Sequence, residues 1–191
     1  MKIILVVDMQ LDFMEFSGAK LPVPDTREII LNANEYLYAL KPIETQSIVF
    51  TQDWHTSEWV EHAENGDQFP QHCIENTPGA EILLNRNMIH PAIPQYFLRK
   101  NTFDMWAGKP QPMYNQIDMS YVGRDTFFCP SPWSFTVEVF GIASDFCVDA
   151  AIKGLLQRGY TVNVIEHLCR GIAKDIRTVV KEKYDGKVNL I

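Results

Sequence analysis

The chain lacks the features that mark membrane and nucleic-acid-binding proteins. No apolar run approaches the roughly 20 residues that a transmembrane helix needs. Positive charge is the minority: 17 Lys and Arg stand against 24 Asp and Glu, a net charge of −7, so we expect no basic patch for nucleic acid or an anionic membrane. Asp8 cuts the apolar N-terminus short and no small-residue cleavage site follows, so we expect no signal peptide.

Cysteine is scarce and scattered, with only four in the chain and no C-x-x-C pair. In a chain of 191 residues this pattern fits reduced thiols in the cytoplasm better than a disulfide framework. The composition, 46% hydrophobic and 21% charged, is that of an ordinary globular protein. The length is most simply that of one domain covering residues 1–191.

Strand-like and helix-like patterns alternate along the chain. Runs of apolar and β-branched residues predict strands at 3–7, 47–51, 95–98, 137–141 and 161–165, with a short last strand at 187–190. Apolar residues at helical spacing predict a helix capped by Asp25 or Thr26, a helix that Gly159 ends, and a helix over 172–184. This alternation predicts an α/β fold of three αβα layers, with a mostly parallel central sheet and helices on both faces.

Polar residues follow four of the predicted strands. Asp8 ends the first, Asp53 and His55 follow the second, Lys100 follows the third and Cys147 follows the fourth. Ligands of such sheets bind at the carboxyl ends of the strands, so these residues predict an active site if the strand order brings them side by side. Taken singly, each has a plainer interpretation as a helix cap, a turn residue or a solvated side chain.

Cys147 has the most informative position in the sequence, since a strand runs out just before it and a helix begins there. Unpaired backbone N–H groups and the positive end of the helix dipole stabilise a thiolate at such a place, which predicts a nucleophile. The alternative is that Cys147 is a buried small hydrophobe, as most free cysteines are.

The segment 52–94 has poor periodicity and is too long for a plain connection. In Asp53-Trp54-His55 the first and third side chains project the same way from an extended backbone, and His72 follows later in the segment. Two imidazoles and one carboxylate form a metal-ligand set that leaves positions open for water or substrate. The alternative is that His55 and His72 only form hydrogen bonds in loops.

Four segments, in order along the chain, resemble the isochorismatase-like cysteine hydrolases and, within them, the nicotinamidase/pyrazinamidase family. The first is the opening strand at 6–13, and the second is Asp53-Trp54-His55 together with 70–81, which is similar to the metal-binding segment. The third is the lysine segment at 99–104, and the fourth is the cysteine segment at 141–148. The resemblance implies an isochorismatase-like fold and the deamidation of nicotinamide to nicotinate and ammonia, a step of NAD salvage, through a thioester.

The resemblance also implies the roles of individual residues. The nucleophile would be Cys147, with Asp8 as acid and base and Lys100 as their electrostatic partner. The N–H groups of Ala143 and Cys147 would form the oxyanion hole, with a cis peptide bond before Ala143. The substrate ring would lie against aromatic residues, Phe13 and Phe69, where Phe69 replaces the tryptophan common in the family.

The metal implied is a divalent cation on Asp53, His55 and His72, with zinc first and iron or manganese also compatible. A further ligand could be Glu64, Glu61 or His62, of which we favour Glu64. The proline-rich stretch 107–134 predicts a lid or a contact between subunits of a homo-oligomer.

Two alternatives stay open at this point. One is a metal-free hydrolase of the same family that acts on isochorismate, ureidoacrylate or a carbamoyl compound. The other is a metal-binding or redox-sensing module without turnover, against which Lys100 counts because neither a metal site nor a thiol sensor requires it.

Overall fold

The fold is built on one eight-stranded sheet. The computed structural model describes residues 1–58, 69–108, 112–129 and 135–191. The strands are β1 Lys2–Val7, β2 Thr45–Asp53, β3 Gln95–Lys100, β4 Pro112–Asn115, β5 Tyr121–Gly123, β6 Thr136–Ile142, β7 Thr161–Arg170 and β8 Val188–Leu190. The helices are α1 Thr26–Tyr38, α2 Arg124–Phe127, α3 Cys147–Gln157 and α4 Ile176–Lys183. None of these helices is long and apolar enough to cross a bilayer.

The strand order is β5-β4-β3-β2-β1-β6-β7-β8. Neighbours from β3 through β2, β1, β6 and β7 to β8 pair in parallel. Within the described ranges, the antiparallel pairs are those of β4 with β3 and with β5, at one end of the sheet. Parallel neighbours need crossover connections, and α1, α3 and α4 lie in those connections. The predicted class, an α/β fold with a mostly parallel sheet, is therefore confirmed.

The core lies along the central strands. Every residue of β1 after Lys2 is buried, as are most residues of β2 and β6 on either side. Strands covered on both faces favour such continuous apolar runs, which is why these three strands are readily predicted from the sequence.

The last helix is shorter than the sequence predicts. It begins at Ile176, because the side chain of Asp175 caps it, whereas the apolar pattern extends over 172–184. The backbone N–H groups of residues 172–174 donate instead to the carboxylate of Asp145, at 2.7 to 3.0 Å.

The stretch 107–134 contains three elements that the sequence patterns do not predict. These are β4 and β5, which continue the sheet beyond β3, and the short helix α2. The proline that disfavours a strand in the sequence is the first residue of β4, a position where proline is tolerated. A lid or a subunit contact in this stretch stays a prediction, and residues 109–111 and 130–134 lie outside the described ranges.

The strands β1 and β6 come unusually close together at their carboxyl ends. Gly141 pairs with Val7 and has a φ of +134°. A Cβ atom at Gly141 would lie 2.0 Å from the carbonyl oxygen of Val7, so a side chain cannot be accommodated there. In the sequence, Val7 lies one residue before Asp8, and Gly141 lies six residues before Cys147.

Candidate active site

The strand order brings the predicted residues side by side. At the carboxyl edge of the adjacent strands β3, β2 and β1 lie Lys100, Asp53 and Asp8, and Cys147 begins α3 after the next strand, β6. The side chains are inaccessible, since Asp8, Lys100 and Cys147 are only 0%, 6% and 5% exposed. The strand order therefore brings these residues side by side, as the prediction of an active site requires.

The ammonium group of Lys100 joins the other three side chains. Its Nζ lies 2.7 Å from Asp8 Oδ2 and 3.5 Å from Cys147 Sγ, and it donates a hydrogen bond to Asp53 Oδ1. Burial alone would lower the pKa of this lysine, but the two carboxylates outweigh burial and hold its pKa well above the usual range. A buried, charged lysine in contact with the thiol is not the solvated surface residue that the sensor interpretation requires.

Asp8 is held firmly beside the thiol. Its Oδ1 accepts a hydrogen bond from the Thr51 hydroxyl at 2.6 Å, and its backbone N–H donates to the same hydroxyl oxygen at 3.2 Å. A carboxylate oxygen of Asp8, one of Asp53 and the sulfur of Cys147 all lie within 4.8 Å of one another. Burial raises the pKa of the Asp8 carboxyl, against the opposing charge of Lys100, and so makes Asp8 a stronger base.

Cys147 is the first residue of α3, as predicted, but its surroundings do not favour a resting thiolate. Burial raises the pKa of the thiol well above its usual range and outweighs the lowering by Lys100, and the nearby carboxylates raise the pKa further. The thiol therefore needs a base that takes its proton, and Asp8 is close enough to do so.

Asp53, His55 and His72 form a buried cluster. The second carboxylate oxygen of Asp53 lies 3.6 Å from His72 Nε2 and 3.9 Å from His55 Nε2. His72 Nδ1 lies 2.8 Å from the Pro70 carbonyl oxygen, and because a carbonyl oxygen can only accept, this hydrogen bond requires a proton on Nδ1.

The charge of this cluster suits a cation. Burial opposes ionisation of Asp53, but Lys100 and then the two imidazoles outweigh burial and hold the Asp53 pKa well below its usual range. One carboxylate and two imidazole nitrogens whose ligand atoms lie within 4.8 Å of one another fit a divalent metal ion. The proposed further ligands Glu61, His62 and Glu64 lie outside the described residues.

Two residues that the sequence analysis did not single out fasten the metal-binding segment. One is Asp12, whose Oδ2 accepts the backbone N–H of Cys73 at 2.7 Å and whose Oδ1 accepts that of Lys20 at 3.2 Å. Gly79 makes room for this carboxylate, because a Cβ atom there would lie 2.1 Å from Asp12 Oδ2. Asp12 therefore fixes the residue next to His72.

The second fastening residue is Gln10. Its side-chain amide donates to the carbonyl oxygens of Asp53 at 2.8 Å and Ala80 at 2.9 Å, and its oxygen accepts the Asp53 N–H at 2.8 Å. The amide thus pairs with the backbone of Asp53 as a neighbouring strand would. Both Gln10 and Asp12 lie in the segment 6–13 that resembles the family, and this is the only signal in the sequence that could have indicated them.

Aromatic rings line this edge of the sheet. The Phe13 ring lies 5.1 Å from the His72 ring, and the Phe69 ring lies 5.4 Å from Phe146 and 5.9 Å from Phe103. The predicted pair Phe13 and Phe69 is therefore joined by two rings that the sequence analysis missed. A signal existed, because Phe146 adjoins the cysteine and Phe103 follows the lysine by three positions.

Two backbone donors are available near the thiol. The peptide bond between Ile142 and Ala143 is cis, as the resemblance implies. Among the described residues, the N–H groups of Ala143 and Cys147 have no hydrogen-bond acceptor, whereas Val148 N donates to the Ala143 carbonyl oxygen at 3.1 Å. Free N–H groups of this kind can stabilise a developing oxyanion.

A buried thiol, lysine and carboxylate at the carboxyl edge of a mostly parallel sheet are the arrangement of an α/β cysteine hydrolase. Residues 2–185 match the family model of the isochorismatase domain, and the chain belongs to this family.

The sequence is similar to those of individual proteins over most or all of its length. It is similar to the nicotinamidase of Escherichia coli, with 26% identity over 190 residues, 88% of this chain and 83% of the relative. It is also similar to the nicotinamidase of Saccharomyces cerevisiae, with 24% identity over 227 residues, 100% of this chain and 98% of the relative. Among solved structures, the pyrazinamidase of Pyrococcus horikoshii in complex with zinc superimposes with a TM-score of 0.75 at 27% identity, covering 100% of this chain and 98% of that one.

Proposed function

We propose that the protein is a nicotinamidase, a metal-dependent cysteine amidohydrolase that converts nicotinamide to nicotinate and ammonia. The observation that carries the proposal is the position of Asp53, which contacts Lys100 of the thiol site through one oxygen and approaches His55 and His72 through the other. A nucleophile and a cation-binding cluster thus share one carboxylate. The names of the relatives, which match over most of the chain, support the same activity.

The first half of the reaction forms a thioester. An unactivated carboxamide is a poor electrophile, so covalent attack divides one difficult hydrolysis into two easier steps. Asp8 takes the thiol proton and the Cys147 sulfur bonds to the amide carbon. Lys100 stabilises the Asp8 carboxylate before this proton transfer and the Cys147 thiolate after it. The oxyanion that forms accepts hydrogen bonds from the N–H groups of Ala143 and Cys147, each worth roughly 3–4 kcal/mol in the transition state.

The second half releases both products. When the C–N bond breaks, Asp8 delivers its proton to the departing nitrogen, which leaves as ammonia. Water then attacks the thioester carbon while Asp8 takes one of its protons. The C–S bond breaks, nicotinate leaves, and the thiol of Cys147 is reprotonated.

The metal would be held by Asp53, His55 and His72, the buried donor set described above. When bound, a divalent cation supplies a ligand position for the ring nitrogen of a pyridine and lowers the pKa of bound water. Zinc is the first choice because nitrogen and carboxylate ligands suit it, and iron(II) and manganese(II) are compatible with the same set.

The aromatic residues Phe13 and Phe69, with Phe103 and Phe146, would enclose the pyridine ring.

We also infer that the protein works in the cytoplasm in NAD salvage. All four cysteines are free, which suits a reducing compartment.

The deciding experiment is to measure ammonia released from nicotinamide by metal-replete protein. Isochorismate, ureidoacrylate and a carbamoyl compound serve as competing substrates. We expect turnover of nicotinamide together with close to one equivalent of bound metal. Turnover of another substrate with less than a tenth of an equivalent would favour the metal-free relatives, and no turnover of any substrate would favour the sensor module.

Replacing either histidine of the cluster is expected to remove the metal. In His55→Ala or His72→Ala, one nitrogen ligand is lost, so bound metal should fall and KM for nicotinamide should rise above the wild-type value, whereas Cys147→Ala should keep its metal. Elemental analysis and steady-state kinetics measure both effects. The exposed His90 provides the matched control, and His90→Ala should keep metal and KM at wild-type values. Full metal content in both cluster variants would exclude this site.

Asp12→Asn is expected to weaken metal binding without removing a ligand. The substitution puts an amide where a carboxylate accepts two backbone N–H groups, so the segment with His72 loses its fixed position. Outer partners of metal ligands are typically worth about 10–100-fold in affinity. Competition with a chromogenic chelator measures the change, and Asp118→Asn on the exposed hairpin is the control. Equal metal affinity in Asp12→Asn and wild type would show that Asp12 does not position His72.

A further inference from the structure

A cavity of about 520 Å³ lies over β2, β3 and β4, on the face of the sheet opposite to the side chain of Asp53. Successive side chains of a strand point to opposite faces, so Trp54 of this cavity and its neighbour Asp53 lie on opposite faces. The described lining contains none of the residues assigned above to the reaction. The residues that matter for its chemistry are Trp54, Arg86, Phe97, Arg99, Tyr114 and Tyr121.

Two arginines in this cavity are stacked on aromatic rings. Arg99 Cζ lies 3.6 Å from the centroid of the Trp54 ring, and Arg86 Cζ lies 4.8 Å from that of Phe97. Phe97 and Arg99 occupy alternate positions of β3, so both side chains face the cavity side of the sheet. A stacked guanidinium keeps the N–H groups in its plane, and these can bind a carboxylate or phosphate in bidentate fashion.

The described lining of this cavity carries more positive than negative charge. Within the described part of the chain, the Arg99 side chain has no hydrogen bond or ion pair, and Arg86 donates only to the amide oxygen of Gln116. Glu81 is the acid in the described lining, and its charge raises the pKa of Arg86 against the larger lowering by burial, although the two side chains form no ion pair. Arg177, by contrast, makes two hydrogen bonds to Glu166, at 2.8 and 2.6 Å. Two arginines against one acid leave the described lining with a net positive charge, which in a chain of net charge −7 indicates an anionic ligand.

The wall of this cavity next to Phe97 offers a surface for a flat ring, because Tyr114 pairs with Phe97 and Tyr121 pairs with Tyr114 across adjacent strands. The Tyr114 and Tyr121 ring centroids lie 5.3 Å apart with an angle of 44° between the planes, and Tyr121 is 69% exposed. Such a wall stacks well with an aromatic ring that enters from solvent.

We propose that this cavity binds a mononucleotide, with its phosphate on Arg86 and Arg99 and its base against Tyr114 and Tyr121. Two guanidiniums favour the doubly charged phosphate over a single carboxylate, and the volume lies within the usual range for small-ligand sites, roughly 300–1,000 Å³. The proposal does not depend on the nicotinamidase activity, because the two sites share no residue.

The test is calorimetric titration of the metal-replete protein with AMP. We expect one binding site, with a dissociation constant at least tenfold larger in Arg99→Gln and in Arg86→Gln, since each loses a charge-assisted contact. The matched control is Arg27→Gln. Arg27 also stacks on a ring, with its Cζ 5.1 Å from the centroid of Phe16, but it lies outside the cavity and should leave AMP binding unchanged.

Three further titrations separate this site from others. In Cys147→Ala protein saturated with nicotinamide, AMP should bind as tightly as without nicotinamide, and inorganic phosphate should bind at least tenfold more weakly than AMP. Tyr121→Ala, at an exposed position that tolerates truncation, should also weaken AMP binding. Three results would each overturn the proposal. These are wild-type affinity for AMP in both arginine variants, displacement of AMP by nicotinamide, and binding of inorganic phosphate as tight as that of AMP.

Discussion

Cys147→Ala is expected to abolish ammonia release from nicotinamide while leaving the fold and the metal content near the wild-type values. The substitution removes the only thiol in contact with Lys100 among the described residues, and with it the group that forms the thioester. The side chain is small and the metal cluster does not include it, so circular dichroism and elemental analysis should change little. Ammonia release at saturating nicotinamide measures the loss.

The matched control is Cys129→Ala, which removes an exposed free thiol elsewhere on the chain. This variant should keep wild-type turnover. Activity above a few per cent in Cys147→Ala would exclude Cys147 as the nucleophile, whatever the control shows.

Lys100→Met is expected to lower activity by at least a hundredfold, the usual effect of losing an acid–base or electrostatic partner. Methionine keeps the aliphatic stem but removes the cation that contacts Asp8, Asp53 and Cys147. Because Lys100 lowers the thiol pKa, its loss raises that pKa further, and the thiolate fraction near neutral pH falls. Alkylation of Cys147 by iodoacetamide should therefore slow along with turnover.

Removing a buried cation leaves two carboxylates unpaired, so the fold must be checked by thermal unfolding in the same experiment. Lys153→Met is the control, because this lysine lies on the exposed side of the helix that begins with Cys147. The two variants should differ in alkylation rate and in turnover. An unchanged alkylation rate in folded Lys100→Met with intact metal binding would favour the sensor module over the enzyme.

Much of the fold could be predicted from the sequence, because the central strands are buried on both faces and their apolar runs are continuous. The same logic placed Asp8, Asp53, Lys100 and Cys147 at strand ends. The strands β4 and β5 were not predicted, because they are short and include polar residues and a proline. The single-domain organisation of residues 1–191 stays a prediction.

The sequence could not predict how the site residues meet. Strand order is a tertiary property, so the contact between Lys100 and Cys147 needed the structure. Burial is another such property, and it reverses the pKa shift expected for a cysteine at a helix N-terminus. Asp12 and Gln10 act through backbone groups more than 40 residues away, and no local pattern indicates such partners.

Because Gly141 has no side chain, the strand before Cys147 can lie close to the strand before Asp8. The strands that lead to Asp8 and to Cys147 are in contact through their backbones at this point, and even one added methyl group would separate them. The approach of the two main chains that lead to the acid and the nucleophile is thus fixed by backbone contact, while Thr51 and Lys100 position the Asp8 carboxylate itself.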